Sequence, residues 1–223
     1  MSLLIFDCDG VLVDSESLLV TAVLAFLAEQ GLPMVRSDYM ARFMGLSASL
    51  WEQAIRRKWA EVLGCEPATG SFDALYQLVA ETMASELTEV TGARQTLCTL
   101  PGERCVASNS SAKGLRWKLA HTDLLALFDP HLYSSSLVSR PKPAPDLFLY
   151  VANQHQRKPS SCIVIEDSAT GVLAAKRAGM KVIGFTAASH CLEGHGQALL
   201  EQGADCIVTR FEDLATALEH LSE

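Results

Sequence analysis

The stretch Leu3-Leu4-Ile5-Phe6-Asp7-Cys8-Asp9-Gly10-Val11-Leu12-Val13-Asp14 decides how the chain is read. A short apolar run ends in two carboxylates spaced i, i+2, and a glycine follows. A run that is apolar at every position, not at alternate ones, suits a strand buried on both faces. Open α/β folds bind ligands at the carboxyl edge of such strands. Asp7 and Asp9 are expected on that edge.

Beyond Asp14 the period changes. Leu18, Leu19, Ala22, Val23, Phe26 and Leu27 recur at helical spacing, with Ser15 or Ser17 as cap and Gly31 and Pro33 as stop. A short helix is expected from about Ser37 to near Gly45. Another, capped by Ser49, carries Leu50, Ala54, Ile55, Trp59 and Val62 on one face. A fourth opens at Ser71, with Leu75, Leu78, Val79 and Met83 inward. From Thr91 helices and strands alternate. Strands are expected at 105–107, 131–133, 162–165, 181–185 and 206–208, with helices over 92–99, 111–120, 145–155, 170–178, 192–202 and from 211. The expected fold is therefore α/β: a Rossmann-like parallel sheet core with right-handed crossovers, built from 1–14 and 89–223. An all-helical cap domain, 15–88, is inserted after the first strand.

Composition narrows the function classes. The chain has 223 residues, 49% of them hydrophobic, and a net charge of -8, so no nucleic-acid partner is expected, because such binding needs a basic face. Arg56-Arg57-Lys58 is a basic run, but Trp51, Ile55 and Trp59 in the same segment mark a dry face, and the charges read as the wet one. The seven cysteines are odd in number and include no CxxC pair, which suits neither a disulfide framework nor a zinc site. Cys8, Cys105, Cys162 and Cys206 lie in or beside apolar runs and read as small core residues. There is no basic, then apolar, leader and no apolar run of about 18 residues. A cytoplasmic location with no membrane partner is the expectation.

Polar residues collect at four strand ends: Asp7 and Asp9, then Ser108-Asn109-Ser110, then Lys142 within Arg140-Pro141-Lys142-Pro143-Ala144-Pro145-Asp146, then Glu166-Asp167-Ser168. In a parallel sheet these ends share one edge. Asp7, Asp9 and Asp167, with Glu166 beside them, are hard oxygen donors suited to Mg²⁺. Without a cation, clustered carboxylates repel and raise one another's pKa. Lys142 supplies positive charge; Ser108 and the backbone N–H groups near Asn109 supply donors for an anion. Together they make a phosphoryl-transfer site, where one aspartate attacks phosphorus and another moves the proton. Singly, each motif has a plainer reading as a helix cap, a solvated turn or an exposed lysine. Four in order at four strand ends do not. His121, His131, His155, His190 and His195 show no partner pattern and read as solvent or packing residues.

These motifs resemble those of the haloacid dehalogenase superfamily over the whole chain: Asp7-Cys8-Asp9-Gly10-Val11 the first, Ser108 the second, Lys142 the third and Glu166-Asp167 the fourth. The likeness is to the branch holding phosphoglycolate-type phosphatases, sugar-phosphate phosphatases and beta-phosphoglucomutases. It implies that Asp7 is the nucleophile and a Mg²⁺ ligand, and that Asp9 is the acid/base and a ligand through its carbonyl. Asp167 would complete the metal site with Glu166, directly or through water. Ser108 and Lys142 would hold the phosphoryl group, helped by Asn109. Gly10 would permit the sharp turn beside Asp9.

Departures from the branch matter as well. The mutases carry a cap histidine where Leu19 stands, an arginine where Ala48 stands and a lysine where Ser111 stands. Dehalogenases lack a counterpart of Asp9, and the cap lysine of phosphonatases has no match beyond Lys58. The expected activity is Mg²⁺-dependent hydrolysis of a small phosphorylated metabolite, a sugar or sugar-acid phosphate such as 6-phosphogluconate, with a beta-phosphoglucomutase-type mutase as the alternative. Arg42 and Gly45 are the candidate specificity residues of the cap, Arg42 pairing with a substrate anion. Hinges are expected near 13–15 and 86–92.

Overall fold

The apolar run at the N-terminus forms β1 (Leu3–Phe6), every residue of it buried. In the computed structural model, which describes residues 2–43 and 48–222, β1 is followed by α1 (Ser15–Glu29), α2 (Arg36–Phe43), α3 (Ala48–Leu63) and α4 (Ser71–Glu86). Alternation then begins: α5 (Ala93–Thr99), β2 (Arg104–Ser108), α6 (Ala112–His121), β3 (Leu132–Ser134), α7 (Asp146–Gln154) and β4 (Cys162–Glu166). The chain continues through α8 (Ala169–Arg177), β5 (Lys181–Phe185), α9 (His195–Glu201), β6 (Cys206–Val208) and α10 (Leu214–Ser222). It divides into two units, one of 1–14 with 87–223 and one of 15–86.

The first unit is built on a parallel sheet of order β3-β2-β1-β4-β5-β6 among the described residues. β1 is thus central, flanked by β2 and β4, and buried on both sides. Alternation along the strand sends Leu3 and Ile5 to one face. There they join Val164, Val182, Leu147, Phe148 and Val172 in one apolar cluster. Phe6 turns the other way and meets the edge of Phe128 at 5.7 Å. Leu87 and Thr88, expected in the helical segment, belong to the sheet unit. Their segment pairs with the stretch after β1: Asp14 N donates to the Thr88 carbonyl and Val90 N to that of Leu12, each at 3.0 Å.

The second unit packs four helices around Val20, Val23, Leu27, Ile55, Trp59 and Leu75, with Leu19 half-buried at the edge. Trp51 Nε1 donates to the Tyr39 hydroxyl at 2.9 Å. Two expectations fail on α3. Ser49 lies within the helix, not at its cap. Leu50 is 55% exposed and Val62 50% exposed. Leu50 stands nine residues before Trp59, about two and a half turns, so it faces away from the packed stripe; Val62 lies in the last turn, past Trp59. Arg56 is not simply solvated: it pairs with Glu52 at 2.7 Å and lies 4.5 Å over the Phe72 ring.

In the sheet unit, the helix expected over 192–202 starts only at His195. Gly194, at φ 85°, holds left-handed backbone just before it, a conformation that favours glycine. The β4–α8 turn is tighter still. Ser168 caps α8, accepting from Gly171 N at 3.1 Å, and a Cβ on Gly171 would lie 1.5 Å from Glu166 Oε1. Gly171→Ala should therefore lower stability by about 1–3 kcal/mol through overpacking, where an ordinary helical Gly→Ala gains up to about 1 kcal/mol. The urea midpoint measures it; a midpoint at or above that of the unaltered protein would refute the close packing.

Candidate active site

Asp7 leaves β1 still bonded to the sheet, its N–H donating to the Ile165 carbonyl at 3.0 Å. The next residues close a tight turn, with Leu12 N and Val13 N both donating to the Cys8 carbonyl. Gly10 makes that turn at φ 77°. A Cβ there would lie 1.9 Å from Asp167 Oδ2 and 2.8 Å from His190 Cε1. Glycine is needed for both conformation and space.

Lys142 sits at the centre of the buried polar groups, itself 6% exposed. Its Nζ donates to Asp7 Oδ1 at 2.7 Å, Glu166 Oε1 at 2.9 Å and the Ala107 carbonyl at 2.9 Å. These use all three ammonium donors. The ammonium also lies 4.8 Å from the Phe148 ring centroid. Asn109 sets the Lys142 backbone: its Oδ1 accepts from Lys142 N at 3.1 Å and its Nδ2 donates to the Lys142 carbonyl at 3.2 Å. Asn109 thus acts on the lysine's main chain.

Glu166 divides its carboxylate between two tasks. Oε1 faces Lys142, while Oε2 accepts from Asp167 N at 2.8 Å and from Ser168 N at 3.0 Å. Asp167 is held by two histidines. His190 Nε2 lies 3.0 Å from its Oδ2, and His195 Nε2 lies 2.6 Å from its carbonyl oxygen. Carboxylate oxygens of Asp7, Glu166 and Asp167 lie within 4.8 Å of one another. Burial pushes the Asp7 carboxyl up to about 7; Lys142 opposes the rise, and Glu166 and Asp9 add to it. Burial also opposes the charge on Lys142, but Asp7 and Glu166 outweigh it and hold the ammonium above the ordinary lysine range. Two of these buried carboxylates share Lys142 and the third faces His190. Hard oxygen donors so grouped fit a small divalent cation.

Asp9 faces the β2–α6 side. Its Oδ2 accepts from the Ser110 hydroxyl at 2.7 Å, and its Oδ1 pairs with the Lys118 ammonium, which also donates to Ser110 Oγ at 3.1 Å. Ser108, 2% exposed at the end of β2, accepts from Ser110 N at 3.0 Å. Ser111 caps α6. Lys118 was not among the expected site residues. Its partner Asp9 stands 109 positions away, so no local pattern announces it.

The structure therefore brings Asp7, Asp9, Ser108, Asn109, Lys142, Glu166 and Asp167 to one edge of the sheet unit. Arg42 is exposed on α2 in the helical unit, and Gly45 lies outside the described residues. The expectation for the histidines is corrected at three positions. His190 and His195 hold Asp167, and His155 bonds Glu103 at 2.7 Å and Tyr133 at 3.0 Å. Such partners come from distant strands and loops, so no local pattern announces them.

The sequence matches the family described as haloacid dehalogenase-like hydrolase over residues 4–185. The 6-phosphogluconate phosphatase of Escherichia coli is 29% identical over 185 residues, covering 83% of this chain and 82% of the relative. The beta-phosphoglucomutase of Bacillus subtilis is 28% identical over 231 residues, covering 99% and 94%. A haloacid dehalogenase-like protein of unknown function from Agrobacterium tumefaciens superposes with a TM-score of 0.89 at 34% identity, covering all of both chains. With four motifs converging on one sheet edge and the match running through them, this chain belongs to the haloacid dehalogenase-like hydrolase family.

Proposed function

We propose that this hydrolase is a Mg²⁺-dependent phosphatase that cleaves a small phosphate monoester, a sugar or sugar-acid phosphate such as 6-phosphogluconate, through an aspartyl-phosphate on Asp7. The observation that carries the reading is the buried cluster of Asp7, Lys142, Glu166 and Asp167, with Asp9 two residues beyond Asp7. Asp7 attacks phosphorus and the substrate alkoxide leaves. Asp9 protonates that oxygen, then takes a proton from the water that attacks the acyl phosphate. Ser108 and Lys142 would hold phosphoryl oxygens, Lys142 by turning one of its three donors from its present acceptor, and Asn109 holds Lys142 in register. Asp7, the Asp9 carbonyl, Glu166 and Asp167 would bind Mg²⁺, which supplies charge neutralisation at the transferring group. The helical unit, 15–86, is the proposed cap that selects the substrate, with Arg42 and Gly45 as its specificity residues and hinges near 13–15 and 86–92.

The likeness to a beta-phosphoglucomutase supports a second reading, transfer to another hydroxyl. Leu19, Ala48 and Ser111 weigh against it, standing where the resemblance implies a histidine, an arginine and a lysine. A mutase must hold and turn a bisphosphate while excluding water, and those three residues would do the holding.

Purified protein should release phosphate from p-nitrophenyl phosphate with Mg²⁺ and lose the activity in EDTA. Asp7→Asn should be inactive, and Asp9→Asn should lose about 10²–10⁴-fold in kcat, the usual contribution of a general acid/base. Across a panel of phosphorylated metabolites, sugar and sugar-acid phosphates should give the highest kcat/KM, and Arg42→Ala should raise KM for acidic substrates more than for neutral ones. Failure to release phosphate from any substrate would sink the phosphatase reading. Isomer formation from a hexose 1-phosphate without net release would favour the mutase.

A further inference from the structure

The loop between β5 and α9 carries Ser189-His190-Cys191-Leu192-Glu193-Gly194-His195. Its backbone folds back twice: Cys191 N donates to the Ala188 carbonyl at 3.1 Å, and His195 N to that of Leu192 at 3.0 Å. Together with left-handed Gly194, this returns His195 to His190, and their rings stand edge to face with centroids 5.6 Å apart. One ligand atom from each of His190, Cys191 and His195 lies within 4.8 Å of the other two. His190 Nε2 and Cys191 Sγ are 3.5 Å apart. Donors bound to one tetrahedral zinc, at about 2.0–2.1 Å for nitrogen and about 2.3 Å for sulfur, are separated by roughly that distance.

We propose that His190, Cys191 and His195 form a second cation site, with imidazole and thiolate ligands, that takes a borderline-soft dication of the Zn²⁺ class. The chemistry separates it from the oxygen cluster: carboxylates suit Mg²⁺, whereas imidazole and thiolate suit zinc. Three protein ligands leave a fourth position for water or a carboxylate. The Asp167 carboxylate lies 3.0 Å from His190, and Asp14 reaches the same loop, accepting from Ser189 Oγ at 2.9 Å. Burial pushes the Cys191 thiol up to about 12, and Asp167 and Asp14 add to the rise. Those two carboxylates also attract a dication, whose coordination converts the thiol to thiolate and releases its proton to solvent. The spacing His-Cys-x₃-His lacks a CxxC pair, which is why the sequence carried no zinc signal.

Occupation has a consequence for the neighbouring site. The same His190 nitrogen faces both Asp167 and Cys191, so a cation bound there takes His190 from Asp167. Hydrolysis is then inhibited; this consequence rests on the phosphatase reading, whereas the site itself does not.

Cobalt tests the site without reference to activity. Metal-free full-length protein titrated with Co²⁺ should develop a thiolate-to-cobalt charge-transfer band in the near ultraviolet, saturating at one equivalent and displaced by Zn²⁺. Asp7→Asn should keep the band and Cys191→Ser should lose it. No band, or one that Cys191→Ser retains, overturns the proposal. In phosphatase assays with excess Mg²⁺, Zn²⁺ should half-inhibit the unaltered protein at a concentration about tenfold or more below that needed for Cys191→Ser. Equal sensitivity of the two proteins overturns the link to Asp167. A cobalt band in a protein that releases no phosphate would retain the site and remove the phosphatase reading.

Discussion

One ammonium organises the sheet edge. Lys142 Nζ reaches Asp7 at the end of β1, Ala107 within β2 and Glu166 at the end of β4, so it crosses three neighbouring strand ends at once. Each of these groups is buried, and desolvating a charge costs several kcal/mol unless hydrogen bonds and opposite charge offset it. Here they do: the lysine spends all three donors, and Glu166 places its other oxygen on the backbone of the next turn. Removing one partner from a buried pair leaves its counter-charge exposed to the low-dielectric interior, at roughly 3–5 kcal/mol. The strand ends are thus tied to one another electrostatically as well as through the sheet.

The same arrangement leaves a charge imbalance. Asp7 and Glu166 share one lysine and Asp167 lies within 4.8 Å of both, and Glu166 and Asp9 add to the rise that burial imposes on the Asp7 carboxyl. A divalent cation would remove it, which is the physical ground for the proposed Mg²⁺ requirement. Asp9 is treated differently. It points to Ser110 and Lys118, away from the Lys142 cluster, so two carboxylates separated by one residue meet different environments. That difference suits the division of labour proposed for them, attack by one and proton movement by the other.

The expectations that held and those that failed have separate physical origins. A run apolar at every position is bound to be buried on both faces, and β1 and β4 are. Alternating helix and strand implies a parallel sheet, and a parallel sheet places all its strand ends on one edge; that reasoning located Asp7, Asp9, Ser108, Lys142 and Asp167 together. Leu50 failed because apolar content is not direction: its angle around α3 turns it from the Trp59 stripe. His155, His190 and His195 were misread, and Lys118 was missed, because their partners lie far along the chain. Asp9 and Lys118 are separated by 109 positions, and no local period connects them.

By itself the sequence determined the class of fold, the insertion of a helical segment after the first strand, and the residues that meet at the sheet edge. Periodicity and strand-end chemistry are local properties, and topology converts them into position. Only the tertiary structure decided the pairings: Lys142 between Asp7 and Glu166, Asn109 on the lysine's backbone, Lys118 on Asp9, and two histidines on Asp167. The opening motif shows the difference most sharply. Gly10 follows Asp9 in a local turn of left-handed backbone, but what closes the space to a side chain there is Asp167 and His190, brought against it from far along the sequence. Close packing between segments distant in sequence is a property of the folded chain alone.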